Sequence, residues 1–214
     1  MLAGKLRSNE IRLTSSTAAA GRIVFRPGKS PDDVHIHCEG WAFTFFRLPD
    51  GRRQIFFFLL PGDIFSSRMM FGKEEYVSVA SVTEVRYGRI NSADLQREIV
   101  KSPELLKNAA KSWAREEQQC LETMVDLGQR SAEERIANFL IRLAARLDAI
   151  ATGGKGGRYP FPIRQSEIAD AVGLTPVHVS RVMSKFRKEE LIDVLWGELV
   201  IKDRIELNRR ALTG

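Results

Sequence analysis

Short apolar runs separated by turn residues occupy the chain from about residue 23 to residue 90. They lie at 23–25, 34–38, 41–48, 54–60, 76–82 and 85–90, between glycine, proline and acidic residues. Runs of this length at spacings near ten residues predict an antiparallel β-sandwich or barrel. Asp50-Gly51 predicts a tight hairpin, because glycine accepts the positive φ that such a turn requires. Residues 1–20 are polar, and we expect them to form a poorly ordered lead-in.

The pattern becomes helical at Pro103. Apolar or small residues then recur at alternating steps of four and three, with one polar interruption at Glu117. The stripe consists of Leu106, Ala110, Trp113, Cys120, Met124 and Leu127. This spacing is the a/d pattern of a heptad repeat. We interpret it as the interface of a homodimer, although a helix buried within one domain could show the same stripe.

A second helix is predicted after the long one. Ser131 and Glu134 have the spacing of a capping box, in which each side chain bonds a free backbone N–H of the other residue. An apolar face follows from Ile136 to Leu147. The glycine-rich segment 153–157 predicts a flexible loop. It is not a phosphate-binding loop, because it lacks the required Gly-Lys-Ser/Thr ending and no strand precedes it.

Residues 164–188 predict two helices joined by a tight turn. The first helix would bury Ile168, Ala169 and Val172, and Gly173 would allow the chain to turn. Thr175 and Pro176 are suited to the N-cap and first position of the second helix. The buried face of that helix consists of Val179, Val182, Met183 and Phe186.

The outer face of the second helix carries the candidate DNA-binding residues. They are Thr175, Pro176, Val177, His178, Ser180, Arg181, Lys185 and Lys188. Arg181 can donate two hydrogen bonds to a guanine, and Lys185 and Lys188 can neutralise phosphates. Two short strands around Trp196-Gly197 would form a wing. An ordinary helix pair in an all-α domain is the alternative, but the wing and the basic face favour binding to double-stranded DNA.

The composition agrees with a nucleic-acid partner. The net charge of +6 favours a polyanionic partner without proving one. No apolar run approaches the roughly 20 residues that span a bilayer, and no signal-peptide pattern is present. Cys38 and Cys120 are too few for a disulfide framework. We therefore expect a cytoplasmic protein without a membrane partner.

A metal- or redox-binding β-barrel of the cupin type is the alternative from another functional class. His35 and His37 share one face of a predicted strand, Cys38 is adjacent, and histidines at this spacing can share a metal. A third ligand is not evident, and no Gly-x-Ser-x-Gly nucleophile motif occurs. We interpret the histidines as structural and predict no metal, no cofactor and no enzymatic activity.

The order of these elements resembles the cyclic-AMP receptor protein/FNR (CRP/FNR) superfamily of bacterial transcription regulators. The segments that carry the resemblance are 39–43, 50–55, 60–63 and above all 165–181. The resemblance implies an α+β fold with an N-terminal antiparallel β-roll, a long dimerisation helix and a C-terminal winged helix-turn-helix. The expected boundaries are 1–20 for the lead-in, 21–102 for the sensory β-roll, 103–128 for the helix and 129–214 for the DNA-binding domain. A homodimer on a near-palindromic operator, with RNA polymerase as a further partner, is also implied.

Three departures from the family pattern change what it implies. Ser67 stands where cyclic-nucleotide binders have a glutamate, no arginine falls at the phosphate position, and Glu74 and Glu75 would repel an anion. Binding of cyclic AMP in the usual mode is therefore not expected, and the effector stays unknown. No N-terminal cysteine cluster is present, so an iron–sulfur cluster is not expected. Val177 replaces a glutamate that accepts from cytosine in many members and can instead pack on a thymine methyl.

Overall fold

The chain divides into two compact units, Met1–Cys120 and Leu121–Gly214. A computed structural model describes residues 13–28, 32–68, 75–150 and 156–212. The boundary between the units falls inside one long helix rather than in a loop. Among the described residues, no helix combines the length and the apolar character that crossing a bilayer would require.

Two four-stranded antiparallel sheets form most of the first unit. Their strands are β1 (Thr14–Ala18), β2 (Ile23–Phe25), β3 (Asp33–Glu39), β4 (Ala42–Arg47), β5 (Arg53–Leu59), β6 (Ile64–Phe65), β7 (Ser78–Ser81) and β8 (Val85–Asn91). The strand order is β1-β8-β3-β6 in one sheet and β2-β7-β4-β5 in the other. The predicted hairpin is present, since Gly51 has φ 91° and its N–H donates to the carbonyl of Leu48. Apart from the β4–β5 hairpin, consecutive strands lie in different sheets, and the arrangement confirms the antiparallel β-roll.

Two apolar clusters hold the first unit together. One joins the two sheets through buried residues such as Phe25, Leu59 and Phe65. The other joins β3 and β8 to the helices α1 (Ser92–Lys101) and α2 (Pro103–Gln129), with Leu95 and Leu105 at its centre. Burial of each large aliphatic or aromatic side chain contributes about 1.5–3 kcal/mol.

Part of the predicted lead-in is a strand, so this expectation was wrong for residues 14–18. The segment Thr14–Ala18 pairs with β8 from Thr14 opposite Arg89 to Ala18 opposite Val85. Residues 1–12 of the lead-in and residues 153–155 of the glycine-rich loop lie outside the described residues. Helix α1 was not predicted either. It is capped by Asn91, whose side chain accepts from the N–H of Ala93, and it has Leu95 as its buried residue.

The second unit is a winged helix. Its elements are the end of α2, then α3 (Ala132–Asp148), β9 (Arg158–Pro160), α4 (Gln165–Val172), α5 (Pro176–Lys188), β10 (Ile192–Leu195), β11 (Glu198–Ile201) and α6 (Arg204–Leu212). The capping box is confirmed, because the Ser131 N–H donates to Glu134 at 2.6 Å and the Glu134 N–H donates to Ser131 at 3.4 Å. The three strands form an antiparallel sheet in the order β10-β11-β9.

Candidate functional site

The turn between α4 and α5 is built around Gly173. This residue has φ 66° and ψ 39°, the left-handed conformation that glycine adopts without strain. A Cβ atom here would lie 2.4 Å from Cδ2 of Leu127, at the end of α2. Glycine is therefore needed both for the backbone conformation and for the close approach of the two segments.

Arg135 joins three backbone segments of the second unit. Its Nε donates to the carbonyl of Arg130 at 2.8 Å, its Nη2 to that of Leu127 at 2.9 Å, and its Nη1 to that of Val172 at 3.3 Å. The guanidinium thus satisfies carbonyl groups near the C-terminal ends of α2 and α4, which have no partner within their own helices. Sequence reasoning missed this role, because the partners are backbone groups from two other helices.

A buried carboxylate holds the last turns of α2 against α3. Asp126 is 4% exposed, and its oxygens accept from Asn138 at 2.8 Å and from Arg142 at 2.7 Å. Arg130 forms a further ion pair with the same carboxylate. Such charge-assisted bonds are stronger than neutral ones, so the end of the long helix is firmly anchored in the second unit.

Helix α5 begins as the sequence predicts. The Thr175 hydroxyl accepts from the N–H of His178 at 3.3 Å, and Pro176 occupies the first helical turn. All four residues of the predicted inward face are buried, and Val179 and Phe186 are completely inaccessible. The opposite face is consequently presented to solvent at a fixed angle.

The eight candidate DNA-binding residues lie on that solvent-facing side of α5. Seven are exposed and Ser180 is half-buried. Val177, Ser180, Arg181, Ser184, Lys185, Lys188 and Glu189 line a shallow groove. Arg181 and Lys188 form no ion pair within the described part of the chain. In contrast, the Lys185 ammonium lies 2.6 Å from a carboxylate oxygen of Glu133 on α3, so part of its charge is already neutralised.

The predicted wing is a two-residue hairpin. Ile192 to Leu195 pair with Ile201 to Glu198, and the intervening Trp196 and Gly197 have φ 55° and 79°. Two positive φ values in succession are the geometry of a type I′ turn, which matches the twist of a hairpin. The Trp196 side chain at the tip is fully exposed.

The predicted heptad stripe of α2 is divided in the structure. Trp113 packs against the first unit's core beside buried Leu105, and Cys120 lines a cavity of the same unit. Leu127 lies against Gly173 in the second unit. Trp113 and Leu127 therefore make contacts within the chain, whereas Cys120 is exposed although it lines the cavity.

The other stripe residues are exposed. Leu106 and Met124 are 49% and 69% accessible, and Ala110 and Glu117 are exposed as well. Two apolar residues that the heptad pattern did not select are also accessible, with Leu121 at 57% and Val125 at 49%. The uncovered apolar surface of α2 thus lies to one side of the predicted stripe.

A cavity of about 630 Å³ opens in the first unit between the sheets and α2. Ser67 and Glu75, which the sequence identified as departures from the cyclic-nucleotide pattern, both line it. Glu74 lies outside the described residues. Burial and the neighbouring charges of Asp63 and Glu75 raise the pKa of Glu116 to about 8. The cavity is thus lined with carboxyl groups where a phosphate-binding site would need cations.

The two strand histidines form hydrogen bonds within the first unit. Nδ1 of His35 lies 2.7 Å from the Ser66 hydroxyl, and the His35 ring stacks on Phe65 at 4.8 Å between centroids. Nε2 of His37 lies 2.8 Å from the carbonyl of Gly40. Burial lowers the pKa of both rings, to about 4 for His35. Within the described ranges, His, Cys, Asp and Glu side chains form no group of three or more that could hold a metal ion.

Comparisons with known proteins find a family match in each of the two units. A family model described as a Crp-like helix-turn-helix domain matches residues 134–210, and one described as a cyclic nucleotide-binding domain matches residues 16–102. The nitrogen fixation regulation protein FixK of Bradyrhizobium diazoefficiens is 33% identical over 185 residues, which cover 86% of this chain and 76% of that protein. The transcriptional activatory protein AadR of Rhodopseudomonas palustris is 34% identical over 172 residues, which cover 80% and 70%.

A solved structure shows the same fold. FixK2 from Bradyrhizobium japonicum has a TM-score of 0.83 at 22% identity, over 95% of this chain and 100% of that one. The relatives are transcription regulators and not enzymes, which favours this function over the alternative of a metal- or redox-binding β-barrel of the cupin type. With its β-roll, long helix and winged helix-turn-helix, the chain belongs to the CRP/FNR superfamily of DNA-binding transcription regulators.

Proposed function

We propose that this regulator acts as a homodimer in which each α5 reads one half of a near-palindromic operator. The observation that carries the proposal is the position of Arg181. It stands exposed on the outer face of α5, between Val177 and Lys185, and forms no ion pair within the described part of the chain. A guanidinium in this position can donate to O6 and N7 of a guanine in the major groove.

The neighbouring residues of α5 have different roles in the proposed complex. Val177 is 61% exposed and apolar, which suits contact with a thymine methyl group. Ser180 and His178 can bond base edges or phosphates, and Lys188 supplies a phosphate contact. Lys185 would first have to give up Glu133, so we expect it to contribute less affinity than Lys188.

The dimer interface is proposed to lie along α2. Leu106, Leu121 and Met124 are large apolar residues that this subunit leaves exposed. With Ala110 they recur at steps of four, eleven and three, which keep them on one helical surface because eleven residues make about three turns. Equivalent residues of two copies would face one another across a two-fold axis. A dimer doubles the contacts of a single helix-turn-helix over half-sites about one helical turn apart.

We further propose that the regulated step involves contact with RNA polymerase and that cyclic AMP is not the effector. Relatives named as transcriptional activators support the first statement. The carboxyl groups of the cavity support the second, because they would repel a phosphate. Run-off transcription with purified polymerase, with and without cyclic AMP, tests both statements.

Two alanine variants of α5 test the main proposal. Operator sites are first selected from random DNA with the purified protein. Arg181→Ala should then weaken binding to the selected site by about 1–3 kcal/mol and relax preference at one base pair, with little effect on random DNA. The matched control Lys188→Ala should weaken both complexes and reduce the salt slope by about one. Equal loss of specific and nonspecific binding in Arg181→Ala would show that it contacts only a phosphate.

A further inference from the structure

The cavity of the first unit has an apolar, largely aromatic wall. Phe56 and Phe57 of β5, Phe65 of β6 and Trp113 of α2 line it. Its volume of about 630 Å³ lies within the range of small-molecule sites. Aromatic and apolar side chains of this kind contact the apolar body of an organic molecule, while a few polar groups fix its orientation.

The charged residues of the cavity are mostly acidic. Glu75, Glu116 and Glu117 line it, whereas Arg68 is the basic residue among the described lining residues. Arg68 is exposed and lies over the ring of Tyr76, with 4.7 Å between the guanidinium carbon and the ring centroid. With all groups ionised the lining carries a net negative charge, so it disfavours anions and favours cations.

The half-buried Glu116 lies among acidic groups, whereas the charge of Arg68 offsets part of the cost of burying Glu75. Burial raises the pKa of Glu75, and burial together with the charges of Asp63 and Glu75 raises that of Glu116 to about 8. Such shifts mean that the surroundings of these carboxyl groups disfavour their ionised form. A cation placed between them would remove that cost.

A hydroxyl group provides independent support for a ligand. Thr44 of β4 lines the cavity and is 1% exposed, and its Oγ1 has no hydrogen-bond partner among the described residues. Leaving a buried hydroxyl unsatisfied costs about 1–3 kcal/mol. In native proteins such a group is nearly always bonded to protein, water or a bound molecule, and the cavity gives either of the last two access to Thr44.

We propose that this cavity binds a small organic cation, consisting of an ammonium group on an aromatic or otherwise apolar body. Glu75 and Glu116 hold the ammonium, the aromatic side chains surround the body, and Thr44 accepts or donates one hydrogen bond. Aromatic rings combined with carboxylates are a favourable environment for ammonium groups. The inference rests on the proposed function, in which cyclic AMP is not the effector, but ligand binding can be measured without DNA.

Four probe molecules test, on the full chain, whether the cavity prefers a cation to a neutral molecule or an anion. Isothermal titration calorimetry at pH 8.5 compares phenethylammonium, 2-phenylethanol, phenylacetate and cyclic AMP. We expect phenethylammonium to bind at least about ten-fold more tightly than the alcohol, and the two anions to bind more weakly still. Equal binding of the alcohol, tighter binding of either anion, or no ammonium binding at millimolar concentration overturns the proposal.

A pair of glutamine variants locates the site. Glu116→Gln should lower phenethylammonium affinity about ten-fold and leave 2-phenylethanol affinity within about two-fold. Glu104→Gln removes the same charge from the same helix at an exposed position outside the cavity, and should change neither. An unaltered ammonium affinity in Glu116→Gln contradicts the assignment. Operator binding measured in parallel separates this result from the proposed DNA recognition.

Discussion

Gly173 offers a direct test of the helix-turn-helix packing, because an added methyl group is disfavoured there for two separate reasons. Its φ of 66° and ψ of 39° are left-handed, and an L-residue pays roughly 1–2 kcal/mol in that region. The new Cβ would also lie 2.4 Å from Leu127 Cδ2. Moving the leucine off its rotamer costs about 0.5–1.5 kcal/mol. Gly173→Ala should therefore lower the free energy of unfolding by about 1.5–3.5 kcal/mol.

Gly197 provides the matched control for the cost that comes from the left-handed backbone conformation alone. It also has a positive φ, 79°, but a Cβ there would meet no atom within 4 Å. Gly197→Ala should therefore lose only about 1–2 kcal/mol. Urea-induced unfolding followed by circular dichroism gives both values, provided that the slope against urea is unchanged.

Repeating the substitution in a Leu127→Ala variant separates the cost of the contact with Leu127 from the cost of the backbone conformation. In Leu127→Ala the obstructing Cδ2 is absent, so adding Gly173→Ala should cost no more than Gly197→Ala costs in the natural sequence. If Gly173→Ala and Gly197→Ala lose equal stability, or if the cost at 173 is the same in both backgrounds, the close packing of Leu127 on the turn is refuted.

Two further predictions concern acid stability and assembly. Burial, followed by the charge of Arg89, lowers the pKa of His35 to about 4 from 6.5. The unfolded chain therefore takes up this proton before the folded protein does, and stability should fall by up to about 3 kcal/mol as the pH drops from 6.5 to 4. Urea unfolding of His35→Gln should show a smaller loss over that window, and an identical loss would count against the assignment. Met124→Glu should give a monomer by light scattering, because two like charges would meet in the proposed interface. Val100→Glu places the same charge at another exposed apolar position and should leave the dimer intact, whereas a dimeric Met124→Glu protein would rule out this interface.

The helix-turn-helix was predictable because its determinants are local. Gly173, Thr175 and Pro176 act on the backbone within three residues, and the buried face of α5 follows from its own periodicity. The wing followed in the same way from Trp196-Gly197, a turn whose two residues both have positive φ.

Strand β1 and helix α1 were missed because distant partners determine them. Thr14–Ala18 has no alternation of apolar and polar residues, and it becomes a strand by pairing with β8 far along the chain. Helix α1 is ten residues long and packs Leu95 and Ile99 on the core, which are too few positions to establish a helical period from the sequence.

The candidate sites were only partly predictable for the same reason. A heptad stripe indicates which residues of α2 are apolar, but not whether they meet their own subunit or a partner. Trp113 and Leu127 turn out to contact their own subunit. The partner of Lys185 is Glu133, on another helix. The cavity joins Thr44, Glu75 and Glu116, which are too far apart in sequence for any motif to connect them.

The position of the unit boundary within α2 has a consequence for how the protein melts. Residues 103–120 of this helix belong to the first unit and residues 121–129 to the second. A segment as short as the second one is not helical by itself in water, because helix nucleation is costly. When one unit unfolds, its part of α2 unfolds with it. The remaining part of the helix, which belongs to the other unit, then loses the adjoining turns that stabilised it. The shared helix alone should therefore couple the unfolding of the two units. In calorimetry, the melting temperatures of the two units should be closer together in the whole chain than in the separated units.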